Sequence, residues 1–144
     1  MLEDLLDQRK SVRSFKDKEV SEHDLNELIW AGYGGEEHRY VPSAGAIYPL
    51  QVFYRYRDTL DYYGAPAYII IAVDYDKITK RYGERGKRYA ILEAGHVAQN
   101  ITLRAIELGL GTVMIGAFRD RRIKKRLNID TEPLYIIAVG YERS

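Results

Sequence analysis

The sequence predicts a domain that mixes helices with a buried sheet, and three observations carry that expectation. Residues 66–73 form a continuous apolar run dominated by isoleucine, the pattern of a central strand covered on both faces. A long helical stretch follows at residues 89–108, with Gly109 placed as its C-terminal stop. The chain has 144 residues, 46% apolar and 30% charged, which suits one domain spanning 1–144 with a real core.

The remaining elements fall around these two. Leu2, Leu5 and Leu6 make a short helical stripe that ends near Arg9. Ser21 is a good N-cap for a helix carrying Leu25, Leu28 and Ile29, which Gly32 is placed to close. Residues 34–39 are polar and read as a loop, and small residues at 41–46 lead into a strand at 52–56. Residues 77–88, charged and punctuated by glycine, read as a surface connection. A short buried strand at 112–115, a brief basic helix at 121–127 and a final strand at 134–140 complete the order. Neither a repeat nor a linker divides the chain.

Charge and composition exclude several classes of function. Lys and Arg total 22 against 21 Asp and Glu, so no bulk positive charge is available to hold a polyanion, despite basic stretches at 80–88 and 119–126. Cysteine is absent, which removes disulfides, thiolate metal sites and cysteine nucleophiles. The longest apolar run is too short to span a bilayer, and residues 2–6 are interrupted by acids and do not read as a signal peptide. These features set the expectation of a soluble, cytoplasmic protein.

The most informative segment for function is Arg9-Lys10-Ser11-Val12-Arg13. In extended chain, side chains at i, i+2 and i+4 share a face, so Arg9, Ser11 and Arg13 converge. Two rigid guanidinium forks and a hydroxyl suit a phosphate. The same pattern alone also fits a solvated basic turn. In the long helix, Ala90, Ala94 and Ala98 recur every four residues, with Gly95 and Ala105 near the same side. That stripe fits either packing on the chain's own sheet or a helix–helix dimer contact.

Four segments together resemble the nitroreductase family of flavin enzymes, most of all its SagB-type, azoline dehydrogenase-like branch in a shortened form. They are Arg9-Lys10-Ser11-Val12-Arg13-Ser14-Phe15, then Pro42-Ser43-Ala44-Gly45-Ala46-Ile47-Tyr48-Pro49-Leu50. The third joins Tyr82-Gly83-Glu84-Arg85-Gly86 to Glu93-Ala94-Gly95-His96-Val97-Ala98-Gln99-Asn100, and the fourth runs from Gly109-Leu110-Gly111 to Ile115-Gly116-Ala117-Phe118. Their order matches the family and they span nearly the whole chain.

The resemblance implies an α+β fold with a central mixed β-sheet flanked by helices, working as an intertwined homodimer with FMN between subunits. It implies that Arg9, Lys10, Ser11 and Arg13 hold the cofactor, and that Pro42, Ser43, Ala44 and Gly45 come from the second subunit. Met114, Ile115, Gly116 and Ala117 would face the flavin ring. No catalytic acid or base is assigned. The expected activity is hydride transfer from NAD(P)H to a nitroaromatic, quinone or flavin. The alternatives are azoline oxidation in peptide modification and a non-catalytic flavin- or nucleic-acid-binding module.

Two departures from the family pattern stand out: a short stretch between Val52 and Pro66, and Arg81-Tyr82 where the azoline dehydrogenases carry Lys-Tyr. A permanently protonated Arg makes a poor base there. The family's C-terminal phosphate-binding cation corresponds loosely to Arg143. Other signals are weaker. Gly109-Leu110-Gly111 follows a helix and precedes a strand, the reverse of a dinucleotide turn. Glu93 and His96 lack the further carboxylates of a di-metal site and read as packing or helix-surface residues, and His23 and His38 as surface residues.

Overall fold

Strand β4 (Ala67–Val73) is buried along its whole length, and the layers of the molecule follow from that. The computed structural model describes residues 1–144. Side chains alternate across a strand. Ala67, Ile69, Ile71 and Val73 enter one core, while Tyr68, Ile70 and Ala72 enter a second on the opposite face. The four-stranded sheet has the order β3 (Leu50–Tyr56), β4, β6 (Glu132–Gly140), β5 (Gly111–Ile115), each neighbouring pair antiparallel. A parallel bridge from Ser11 to Thr112 at the β5 edge gives the sheet its mixed character.

The first core is covered by α2 (Glu22–Tyr33) and α4 (Arg85–Glu107), which contribute Leu25, Leu28, Val97 and Ile101. On the second face, Val12 and Phe15 of the N-terminal arm join Ile123 and Leu127 of α5 (Asp120–Leu127). A helix α1 (Leu2–Gln8) precedes that arm and buries no residue. The outcome is the α+β sheet-and-helix architecture that the resemblance implied.

Several boundaries differ from the sequence reading for definable reasons. Residues 77–88 are not a plain surface connection: α3 (Tyr75–Tyr82) occupies the first part, capped by the Asp74 side chain, which accepts from Asp76 N–H at 3.2 Å. Only Ile78 of α3 is buried, so no apolar period marks the helix. Gly83, at φ 62°, ends it, and α4 begins at Arg85, four residues before the expected start. Gly32 does not close α2. It stays helical where α2 crosses α4, and Gly34 (φ 74°) takes the C-cap. Residues 34–39 contain a two-residue hairpin, β1 (Gly34–Gly35) with β2 (His38–Arg39). Strand β6 begins at Glu132 because Pro133 is accommodated beside an irregularity in the β4 register.

The small-residue stripe divides. Ala90, Ala94, Ala98 and Ala105 pack into the chain's own core, whereas Gly95 is exposed on the outer face with Ile91 and Leu92. Glu84 pairs with Lys87 at 3.4 Å.

The α2–α4 crossing depends on the missing side chain at Gly32. A Cβ there would lie 2.8 Å from Ile101 Cγ1 and 3.0 Å from Val97 Cγ1. Gly32→Ala is expected to destabilise the fold by roughly 1–3 kcal/mol, the usual cost of overpacking a closed core. A urea unfolding curve gives the measurement, and an unchanged midpoint would contradict this packing.

Candidate functional site

The N-terminal arm is extended from Arg9 onward (φ −60°, ψ 123°), because its main chain is tied to the sheet edge. Val12 N–H donates to Thr112 O at 2.8 Å, and Ser11 is the bridge partner of Thr112. Val12 is buried between exposed Ser11 and Arg13, as an extended segment requires, and Arg9 and Lys10 are both exposed. Neither Arg9 nor Arg13 forms an ion pair within the chain. Lys10 is different: its Nζ lies 2.9 Å from the Glu142 carboxylate. Arg143 N–H donates to Ser14 O at 3.0 Å, which sets the C-terminus beside the arm.

The same edge carries the end of β5. Met114 lies two residues beyond Thr112, about 7 Å along the strand. Ile115 is the last paired residue and points into the second core, and Gly116 and Ala117 emerge exposed. A Cβ on Gly116 would approach only Tyr135 Cε1, at 3.7 Å, so the main chain there is open to a ligand. Beyond it a cleft of about 560 Å³ is lined by Leu60, Tyr62, Phe118, Arg119, Arg122 and Arg126, among others. Arg126 Nε donates to Thr59 O at 2.6 Å, whereas Arg119 and Arg122 have no partner in the chain.

Residues 42–45 stand elsewhere. They lead into β3, at the opposite edge of the sheet from β5, three interstrand steps or about 14 Å away. One chain therefore places Arg9, Ser11 and Arg13 on the same sheet edge as Met114, Gly116 and Ala117, with Pro42, Ser43, Ala44 and Gly45 at the opposite one. The loop at 43–48 is held tightly. Gly45, Ala46 and Tyr48 have φ values of 62°, 53° and 51°. Tyr48 N–H donates to Ser43 Oγ at 2.9 Å, and Arg81 Nη1 to Gly45 O at 3.4 Å. A Cβ at Gly45 would sit 2.6 Å from the Tyr82 hydroxyl and 2.8 Å from Arg81 Nη1. Arg81 and Tyr82 thus form the wall behind this loop.

Sequence reasoning missed one cluster behind that wall. Glu93, 2% exposed, accepts from the Tyr33 hydroxyl at 2.6 Å, and the same hydroxyl accepts from Leu50 N–H at 3.2 Å. Burial raises the Glu93 pKa, opposed by Ser43, Tyr33, His96 and Arg39. Burial also raises that of Tyr33, with the Glu93 hydrogen bond adding to it. Arg39 lies over the rings of Tyr33 and Tyr48, 4.6 and 4.7 Å from their centroids. Glu93 Oε1 has no hydrogen-bond partner. A carboxylate on the buried stripe of Ala90, Ala94 and Ala98 was the available signal.

The donor set fits an anionic, planar cofactor in two respects: a pair of unpartnered guanidinium groups on one face, and a nearby stretch of exposed main chain without bulky side chains. Such an edge, on an α+β sheet with a long packed helix, offers charged donors and open main chain to an anionic ligand.

Comparison with known proteins agrees. The Nitroreductase family model matches residues 6–63 and 54–141, dividing inside the stretch expected to be shortened. A protein of Methanocaldococcus jannaschii named for a nitroreductase, MJ1384, is 36% identical over 178 aligned positions, covering 96% of this chain and 90% of the relative. An NADPH-dependent oxidoreductase of Staphylococcus haemolyticus is 28% identical, covering 95% of this chain, which spans only 63% of that relative's length. Among solved structures, a nitroreductase family protein of Streptococcus pneumoniae superposes with a TM-score of 0.85 at 21% identity, over 100% of this chain and 92% of that one. The NADPH:FMN oxidoreductase of Vibrio harveyi, complexed with NAD+, gives 0.80 at 16% identity, over 99% and 69%. The chain belongs to the nitroreductase family of oxidoreductases. No helix is long and apolar enough to cross a membrane.

The buried carboxylate has a thermodynamic consequence. Glu93 binds its proton more tightly when folded than when unfolded, so its contribution to stability is fully present below the ordinary value of 4.5 and is lost as pH rises through the raised folded value. Relative to Glu93→Gln, which has nothing to ionise, the wild-type melting temperature should fall progressively as pH rises from 4. A difference that stays constant with pH would show that Glu93 is not held in its neutral form.

Proposed function

We propose that the chain is an FMN-dependent NAD(P)H oxidoreductase that works as a homodimer, passing hydride to a small flat acceptor such as a nitroaromatic, a quinone or free flavin. The observation that carries this reading is the division of the family's cofactor segments between opposite sheet edges. Each edge is half a site, and a second copy supplies residues 42–45 against the arm of the first. Ile91 and Leu92, 54% and 58% exposed on the outer face of α4, favour a second copy as cover. FMN, when bound, supplies the two-electron chemistry.

The residues of this chain bind and orient. Arg9 and Arg13 anchor the phosphate, with Ser11 adding a hydroxyl between them. Gly116 and Ala117 leave one face of the ring open, so that donor and acceptor take turns against it. The adjoining cleft offers Tyr62 and Phe118 for stacking and the unpartnered Arg119 and Arg122 for the phosphates of a nicotinamide nucleotide. The names of the staphylococcal and Vibrio relatives support the donor and cofactor classes.

The purified protein should be a yellow dimer that releases FMN on denaturation and bleaches with NAD(P)H in the absence of oxygen. Replacing Arg9 and Arg13 together with Ala should weaken FMN binding by roughly 100-fold or more, since two charge-assisted contacts are lost, each worth about 1.5–3 kcal/mol. Circular dichroism should be unchanged. Flavin content equal to wild type in that variant would sink the phosphate assignment. Separately, Arg122→Ala should raise the KM for NADPH several-fold with a much smaller change in kcat. An unaltered KM would remove the cleft from donor binding.

A further inference from the structure

We propose that Glu93 is a positioning residue for the flavin-facing loop, holding residues 43–50 in their strained shape and altering that shape with its own protonation. The proposal rests on the flavoprotein reading and goes beyond it by assigning the loop's geometry to one buried carboxylate.

Three positions of this segment adopt left-handed backbone, two of them in residues with side chains, Ala46 and Tyr48. Each such residue costs on the order of 1 kcal/mol or more and persists only when its surroundings over-determine it. The restraints meet at Glu93. At the end of the segment, Leu50 N–H donates to the Tyr33 hydroxyl, which donates in turn to Glu93. At its start, the Ser43 hydroxyl lies against the same carboxylate and accepts from Tyr48 N–H. Both ends of the loop are therefore referred to one side chain, itself fixed on the 23-residue helix α4. Arg39, stacked on Tyr33 and Tyr48, closes the cluster from the β2 side.

The groups that face Glu93 are Tyr33 from α2, Arg39 from β2, Ser43 from the loop and His96 from α4 itself. Glu93 Oε1 is buried without a partner. An orphaned buried acceptor is costly, and a proton on that oxygen makes it a donor toward Ser43. Ionised, the carboxylate needs the Ser43 proton instead. The Ser43 hydroxyl thus reverses its direction toward Glu93 with the charge; its oxygen keeps a lone pair for the Tyr48 amide in both states, but that lone pair is re-aimed.

Hydrogen exchange in flavin-free protein reads the loop without reference to catalysis, and FMN titration by fluorescence quenching reads the site. In Glu93→Ala, amides of residues 43–50 should exchange at least tenfold faster while those of β4 and β6 stay at wild-type rates, and the FMN Kd should rise at least tenfold. Glu93→Gln still accepts from Tyr33, so its loop should stay protected, and its FMN affinity should lose the pH dependence of the wild type. Wild-type exchange at 43–50 in Glu93→Ala would overturn the proposal, as would a loosened loop with unchanged FMN affinity. Should Glu93→Ala not fold, the Gln variant decides: a pH profile identical to wild type overturns the assignment. Wild-type protein that takes up no FMN would remove the flavoprotein reading and this role with it. In that case the loop's dependence on Glu93 still shows in the exchange data.

Discussion

The double burial of β4 is the constraint from which the rest of the structure follows. A strand with no exposed residue needs apolar cover on both faces, so α2 and α4 pack on one and α5 with the N-terminal arm on the other. Covering the second face pulls Val12 inward, and the extended chain on either side of it then turns Ser11 and Arg13 outward, while Phe15 is buried again two residues past Arg13 and breaks the alternation. The cationic edge is thus a by-product of core formation. Its position is set by Val12, whose methyl groups fill the space that a Cβ on Gly111 would need, 2.7 Å from Val12 Cγ2.

Much of this was legible in the sequence because the strong signals are periodic or continuous. The isoleucine run could only be a buried strand or buried helix, and its length decided the matter. The arm was legible because its two buried residues, Val12 and Phe15, are apolar and its exposed ones, Arg9 to Ser11, Arg13 and Ser14, are polar. What stayed hidden had no period. Helix α3 buries one residue, Ile78, so its charge pattern resembled a loop. Gly32 looked like a helix stop because helix packing through a glycine has no local signature.

The candidate site was readable as a set of segments and unreadable as a geometry. In one dimension the loop at 42–45 lies far closer to the arm at 9–13 than the β5 end at 114–117 does, although in the fold it is the arm and β5 that are neighbours. Only strand order separates the loop from that edge. Glu93 was invisible for a related reason: a glutamate on a helix is ordinarily solvated, and only the register of Ala90, Ala94 and Ala98 turns it inward. Its partner Tyr33 lies 60 positions away in sequence and Leu50, whose N–H donates to that same hydroxyl, lies 43 away, a coincidence that no local window contains.

The single rung between Val12 and Thr112 has one more consequence. Edge strands with free main-chain groups invite addition of strands from other molecules. At the β5 border, the arm is the chain's own blocking strand, fastened there by the Val12–Thr112 main-chain hydrogen bond, further along by Lys16 N–H to Tyr141 O and Arg143 N–H to Ser14 O, and by Val12 and Phe15 as apolar plugs. Should the arm lift away, a row of amides and carbonyls would be bared to neighbouring molecules. An anion gripping both arginines would hold that shutter closed, so loss of the ligand would bring a solubility penalty as well as a loss of chemistry.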